Sequence, residues 1–298
     1  MIRNIFISLL ISTALFSGPT VTYEQAGGRL GDHLISYLHA KWISYQYGIP
    51  LAYTPFLFSD AFALSELEVP LEAKKKLVPV TNLSQLNRLE DKIYQIPYVT
   101  ECPEEYLTGH PFWKERPFIL VDWNDREFIE WVRPCLAPRI PVSPLSLPKD
   151  QITVALHIRR PYGQDADPNI HRIFPYKFLP DQFYIDQLKW VYEEMGRRPM
   201  YVYIFSNDPA GRKIASQFQA KLKNKNVTFD FPKVLDQSRE GVISDLFSMM
   251  EFDCIIRPES NLSIVASKFG KQKIVISPEH VIVNTRENIV DRVKIERR

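Results

Sequence analysis

From Ile152 onward the sequence alternates short apolar runs with stretches of helical period, and this alternation constrains the fold more than any other feature. Ile152 to Ile158, Tyr201 to Phe205, Val227 to Phe231, Cys254 to Ile256 and Lys273 to Ile276 read as strands. Leu179 to Met195, Gly211 to Leu222, Val242 to Met250 and Leu262 to Phe269 read as helices between them. Runs that are apolar throughout, separated by helices of ten to fifteen residues, imply a parallel sheet covered on both faces. The pattern therefore predicts a doubly wound α/β domain, in which ligands bind at the carboxyl ends of the strands. The charged segment from Glu279 to Arg298 reads as a helix packing back or as a tail.

The first half is less regular. Thr20 to Ala26 reads as a strand, Gly27 to Gly31 as a glycine-rich turn, and His33 to Tyr47 as a helix stopped by Gly48 in a left-handed cap. A helix near Leu83 to Leu89, a strand over Phe118 to Val121 and a helix over Arg126 to Leu136 follow. Pro134, Pro138, Pro141, Pro144 and Pro148 can neither continue a helix nor pair inside a sheet, so a stiff connector lies here. The expected organisation is a leader over 1–18, an N-terminal domain over 19–137, a Pro-rich linker over 138–150 and a C-terminal domain over 151–298.

Arg3 precedes an apolar run from Ile5 to Phe16, and Ser17, Gly18 and Pro19 follow it. This is the shape of a secretory signal peptide and is short for a membrane span. A hydrophobic first element of the fold, or a start codon placed upstream, gives the same pattern. Cleavage implies a secreted or lumenal protein, retention a cytoplasmic one, and any membrane association runs through this segment.

Lys plus Arg is 37 against 35 for Asp plus Glu, a net charge of +2, which gives no electrostatic footprint for nucleic acid. Cys102, Cys135 and Cys254 lack metal-ligand spacing, so no metal site is expected. A Cys102–Cys135 bridge is compatible with export, and Cys254 sits in an apolar strand as a buried thiol.

Four loops put polar groups where apolar strands stop. GGRLGDHL, residues 27–34, has glycines at 28 and 31 that let backbone approach a ligand, or simply make a tight turn. In HIRRPYG, residues 157–163, His157 and Arg159 share one face of an extended chain and Arg160 takes the other. Two arginines at a strand end suit a diphosphate, because guanidinium pairs bidentately and keeps its charge; surface salt bridges are the bland alternative. In FSNDPAG, residues 205–211, Asp208 can cap the following helix or accept the donors of a guanine edge. RPESNLS, residues 257–263, offers Ser260, Asn261 and Ser263 with backbone amides at a helix start, suited to phosphate oxygens or to capping.

In this order the loops resemble those of the GDP-fucose-dependent fucosyltransferases, the α-1,2, α-1,6 and protein O-fucosyltransferase superfamily, over roughly residues 20 to 278. GGRLGDHLISYLHAKWISYQYGIPL is similar to the first glycine loop and helix of the α-1,2 enzymes, with Asp32-His33 in place of their usual Asn-Gln. HIRRPYG resembles their His-x-Arg-Arg motif, YIFSNDP their Phe-Ser-Asp-Asp segment, and DLFSMMEFDCIIRPESNLSIVASKFG the elements that close the donor site.

The resemblance implies an α/β fold of GT-B type, two Rossmann-like domains facing across a cleft. It implies inverting, metal-independent transfer of fucose from GDP-fucose to a glycan or glycoprotein hydroxyl. Arg159 would contact the β-phosphate and stabilise departing GDP, with His157 and Arg160 beside the nucleotide and Asp208 on guanine. Ser260, Asn261 and Ser263 would hold phosphate or fucose, Gly28 and Gly31 would line the cleft, and Asp32 and His33 would lie on the acceptor side. Asp167 resembles the place of a carboxylate that deprotonates the acceptor in the α-1,6 enzymes. Pro161, Tyr162 and Gly163 stand where the family often carries an Asp after the double arginine. That departure favours a second reading, a carbohydrate- or nucleotide-binding protein without catalysis.

Overall fold

The computed structural model describes residues 18–298 except 72–75, 120 and 168, so the leader expected over 1–18 lies outside it save for Gly18. The first half contains β1 (Thr20–Tyr23), α1 (Leu30–Tyr47), β2 (Ala52–Tyr53), α2 (Leu64–Leu67), β3 (Val69–Pro70), β4 (Leu77–Pro79), β5 (Ile93–Ile96), α3 (Glu104–Gly109) and α4 (Arg126–Val132). The second half contains β6 (Ile152–Ile158), α5 (Ile170–Ile173), α6 (Asp181–Glu194), β7 (Met200–Ser206), α7 (Gly211–Leu222) and β8 (Val227–Asp230), then α8 (Arg239–Met249), β9 (Cys254–Ile256), α9 (Asn261–Phe269), β10 (Ile274–Ile282) and β11 (Ile289–Arg297).

The second half is a six-stranded sheet in the order β11-β10-β9-β6-β7-β8, parallel except for the antiparallel β10–β11 pair. Numbered within this half, the order is 6-5-4-1-2-3, the doubly wound arrangement whose strand order reverses between β6 and β9. The crevice outside the carboxyl ends of these two strands is where such a sheet binds a ligand. Along β6 the period of two sends Ile152, Val154, Leu156 and Ile158 into one core and Ala155 into another on the opposite face. His157 and Arg159 share the parity of Ala155 and so face the first half of the molecule.

The first half pairs β1, β5 and β4 in parallel, and β2 with β3. Its core is continuous with the inner face of the large sheet: Leu34, Tyr37 and Leu38 of α1 join Ile264, Val265 and Phe269 of α9. Helix α1 is therefore buried almost all round, and its buried charges are paired: Lys41 Nζ lies 2.6 Å from Glu68 Oε1, and His39 Nε2 2.7 Å from Glu101 Oε1. Gly48 ends it at φ 62°, in the left-handed region. Residues 139–150 form no helix or strand, while Ile140, Val142, Leu145 and Leu147 pack against the core.

Three expectations need correction. Glu279 to Arg298 is neither helix nor tail: β10 runs on to Ile282 and turns back as β11. Val293 and Ile295 alternate with Arg292, Lys294 and Glu296, so one face packs on the core while charged groups guard the sheet edge. The run Phe118 to Val121 forms no strand at its described residues, although Ile119 is buried. The segment near Leu83 to Leu89 is a 3-10 turn, Leu83–Asn87, capped by Asn82 and Gln85, too short for an α-helix. All three cysteines are free thiols, with Cys135 and Cys254 buried.

Candidate active site

A cleft opens at the reversal of strand order, the place where a doubly wound sheet binds its ligand. His157 and Arg159 enter it from the end of β6, Ser260 and Asn261 from the start of α9, and Gly31 and Asp32 from the start of α1. Six of the residues singled out in the sequence thus converge from three separated loops. Ser260 occupies the N-cap of α9 without a side-chain cap bond, and Ser260, Asn261 and Leu262 at the amide end of that helix line the cleft.

Arg159 is buried and ion-paired with Asp165, which also accepts Arg29 Nη2 at 2.8 Å. Asp165 lies in the 3-10 turn Gly163–Asp165, which brings its carboxylate back to Arg159. Arg159 Nε and His157 Nδ1 are buried without hydrogen-bond partners, which leaves two polar groups at the cleft for a ligand to satisfy.

Arg29 and Lys177 complete the cationic lining, and Arg257 lies behind it, held by Glu259 Oε2 at 2.8 Å. The effect of these charges is legible in His157: burial, then Arg29, Arg257 and Lys177, push its imidazole down to about 3, so it is neutral at physiological pH. Burial likewise lowers Lys177 below the usual lysine range, partly offset by Asp32. At the other end of the cleft, burial and the neighbouring Asp236 push Asp245 up to about 7. The site is positive where β6 and α9 converge and carries carboxyls near Phe205 and α8.

The remaining sequence candidates lie elsewhere. Arg160 points to the opposite face of the sheet, ion-paired with Asp181, while its backbone is pinned by Asn207, whose Oδ1 accepts the Arg160 amide at 2.8 Å. Asp208 lines that same opposite groove, and its carboxylate accepts the Ala210 amide at 2.8 Å, a turn-forming role. Ser263 is fully buried and donates to the Ser260 carbonyl at 2.9 Å. His33 is buried and stacks on Phe56 at 5.5 Å. Asp167 is exposed and accepts the Asn169 amide at 2.7 Å; it lines neither the cleft nor its neighbour. Gly31 does line the cleft, but the close approach it permits is to the protein itself: a β-carbon there would fall 2.9 Å from Leu262 Cα.

Sequence reasoning missed Arg29, Asp165, Lys177 and Asp245. Arg29 sits between the glycines already singled out, and Asp245 opens the segment DLFSMMEF that was compared with the donor-site elements; Asp165 and Lys177 carried no local signal.

A second cleft, of about 620 Å³, adjoins the first and is walled by the aromatic residues Tyr98, Tyr106, Phe112, Trp113, Phe174 and Tyr176. Asp32, Lys177 and Asn261 line both. Among the described residues, no group of three or more His, Cys, Asp or Glu side chains is placed to hold a metal ion, and no helix is long and apolar enough to cross a membrane.

No family model and no curated protein matches the sequence. Solved structures do match. A point mutant of FUT1 from Arabidopsis thaliana in complex with GDP superposes with a TM-score of 0.54 at 10% identity, covering 86% of this chain and 70% of that one. POFUT1 in complex with GDP-fucose gives a TM-score of 0.48 at 12% identity, covering 86% of this chain and 96% of that one. The NodZ fucosyltransferase from Bradyrhizobium gives 0.45 at 12% identity, covering 95% and 99%. The likeness to FUT1 establishes a shared α/β fold with parallel sheets; the other two scores add no weight to it.

Proposed function

We propose that this chain is a glycosyltransferase that moves fucose from GDP-fucose to a glycan hydroxyl, inverting the anomeric centre without a metal. The observation that carries the proposal is the convergence of Arg159, the amide end of α9, Arg29 and Lys177 on one cleft at the strand-order reversal, with partnerless nitrogens on Arg159 and His157. A diphosphate fits this lining. As the bond to the sugar breaks, the departing nucleotide gains negative charge, which Arg159 and the α9 amides would stabilise as a metal does elsewhere. The fold shared with FUT1, itself bound to GDP, supports the same ligand class.

Within this reading the nucleotide base lies toward Asp245, not Asp208. Asp245 lines the cleft, whereas the Asp208 carboxylate is committed to its own turn. Ionised, Asp245 accepts both edge donors of guanine, which uracil and adenine do not present as a pair. The two halves then act as the two sides of a GT-B arrangement, donor on residues 151–298 and acceptor toward 19–137. The reading as a binder without catalysis drew on the missing carboxylate after Arg160; the ion pair of Asp165 with Arg159 supports the transfer reading instead. The α-1,2 linkage follows from the sequence resemblance of the first glycine loop.

The test is turnover by the full chain in chelator, offered GDP-fucose, GDP-mannose or UDP-galactose in turn. GDP release from GDP-fucose alone, lost in Arg159→Ala, is the expected result. Preference for UDP-galactose, or turnover unchanged in Arg159→Ala, would refute the proposal.

A further inference from the structure

We infer that Asp32 is the general base that takes the proton of the acceptor hydroxyl, with the aromatic second cleft seating the acceptor saccharide; this rests on the sugar-transfer reading above. A base for such a step must reach both the donor sugar and the incoming hydroxyl, so it belongs where the two clefts join. Among the described residues, Asp32 is the one carboxylate that lines both. The other carboxylates of the second cleft are engaged away from the junction: Glu24 is ion-paired with Arg116, and Glu259 lies 2.8 Å from Arg257 Nη1. Asp167 is out of reach of either cleft.

The surroundings of Asp32 hold it in one orientation. Its Oδ1 accepts Tyr98 OH at 2.9 Å and Asn261 Nδ2 at 2.6 Å, and its Oδ2 accepts the Arg29 amide at 2.9 Å. One lone pair on Oδ2 is left for a hydroxyl. Asn261 is itself fixed by Thr100, 3.1 Å from its Oδ1, so residues from both halves position the carboxylate. In the glycine loops that this segment resembles, Asn takes the place of Asp32, and an amide cannot accept that proton. The lining of the second cleft suits a sugar ring, which offers C–H faces to aromatic rings and hydroxyls to polar groups. Phe112, 63% exposed, supplies a ring, with Glu24 and Arg116 at the rim.

In the step itself, the acceptor O–H bond breaks and its proton passes to Asp32 Oδ2. The freed oxygen pair forms the bond to the sugar C1 as the C1–O bond to the β-phosphate breaks. That bond's electrons leave with GDP, toward Arg159.

The experiment compares wild type with Asp32→Asn in the full chain, measuring GDP-fucose binding by calorimetry and GDP release in water and with lactose as the probe acceptor. The account expects binding within threefold of wild type, GDP release at least 100-fold slower in both media, and, in a second variant Asp32→Ala whose truncated side chain leaves room for a small base, partial recovery with added formate. Retained binding shows that each variant is folded. Release at the wild-type rate, or a slow Asp32→Ala variant that formate leaves slow, would overturn the assignment of Asp32. A wild type that fails to bind GDP-fucose would instead remove the sugar-transfer reading on which it rests.

Discussion

The two halves of the molecule spend their apolar residues differently. In the second half, β6 and β7 are seven residues each and the sheet has a core on each face, one of them built from its own elements. In the first half, strands of two to four residues carry a smaller sheet whose core is shared with α8, α9 and the inner face of the large sheet. A regular frame holds Arg159 and the end of α9, while looser segments supply the aromatic walls of the second cleft. Under the proposed sugar transfer, the difference teaches that a donor site would rest on fixed strand ends, while an acceptor site can be written in loops that vary without disturbing the frame.

The seam between the halves is the sharpest place to challenge this picture. At Gly31 the backbone of α1 touches that of α9, so Gly31→Val should cost about 3 kcal/mol or more of stability by forcing the two helices apart. Gly27, four residues earlier with nothing near its would-be β-carbon, should accept Ala with little change in melting temperature. Equal tolerance at both positions would mean that the halves do not depend on a tight seam.

A pH series probes the frame. His157 titrates near 3 when folded against its ordinary 6.5, so the unfolded chain binds a proton that the folded chain refuses. Its contribution is fully present above 6.5 and is lost as pH falls from there toward 3. Wild type should therefore lose about 3 kcal/mol more than His157→Gln between pH 7 and pH 4, read from denaturant midpoints. Parallel pH profiles would place His157 in contact with water.

The smallest effect separates two carboxylates of the second half. Asp245→Asn should weaken GDP binding about tenfold, equivalent to about 1.4 kcal/mol, whereas Asp208→Asn should stay within about twofold. Because Asp245 must be ionised to accept guanine donors and titrates near 7, GDP affinity in wild type should rise from pH 6 to pH 8 and flatten in Asp245→Asn. The opposite ranking of the two variants would move the base to the groove around Asp208.

How legible this was in the sequence follows the same division. The strands of the second half announce themselves because burial on both faces demands unbroken apolar runs, as ITVALHI does in β6. IVDRVKIER did not, because an edge strand alternates and its charges mask the period. Arg159, His157, Ser260 and Asn261 were found because they follow recognisable strands. Asp165 and Lys177 sit in irregular chain whose path no local pattern encodes, and Asp245 looks like the solvated face of a helix until α8 is seen to border the cleft. Asp208 and Ser263 carried the right chemistry at the right loops, but local hydrogen bonds consume it.

The central claim is that a diphosphate-linked sugar sits where β6 and α9 converge, and calorimetric titration of the full chain with GDP in chelator tests it most directly. The account predicts saturable binding of one GDP per chain that falls at least 100-fold in Arg159→Ala and little in Arg160→Ala, since Arg160 faces the other side of the sheet. Equal losses in the two arginine variants, or no GDP binding by wild type, would contradict it.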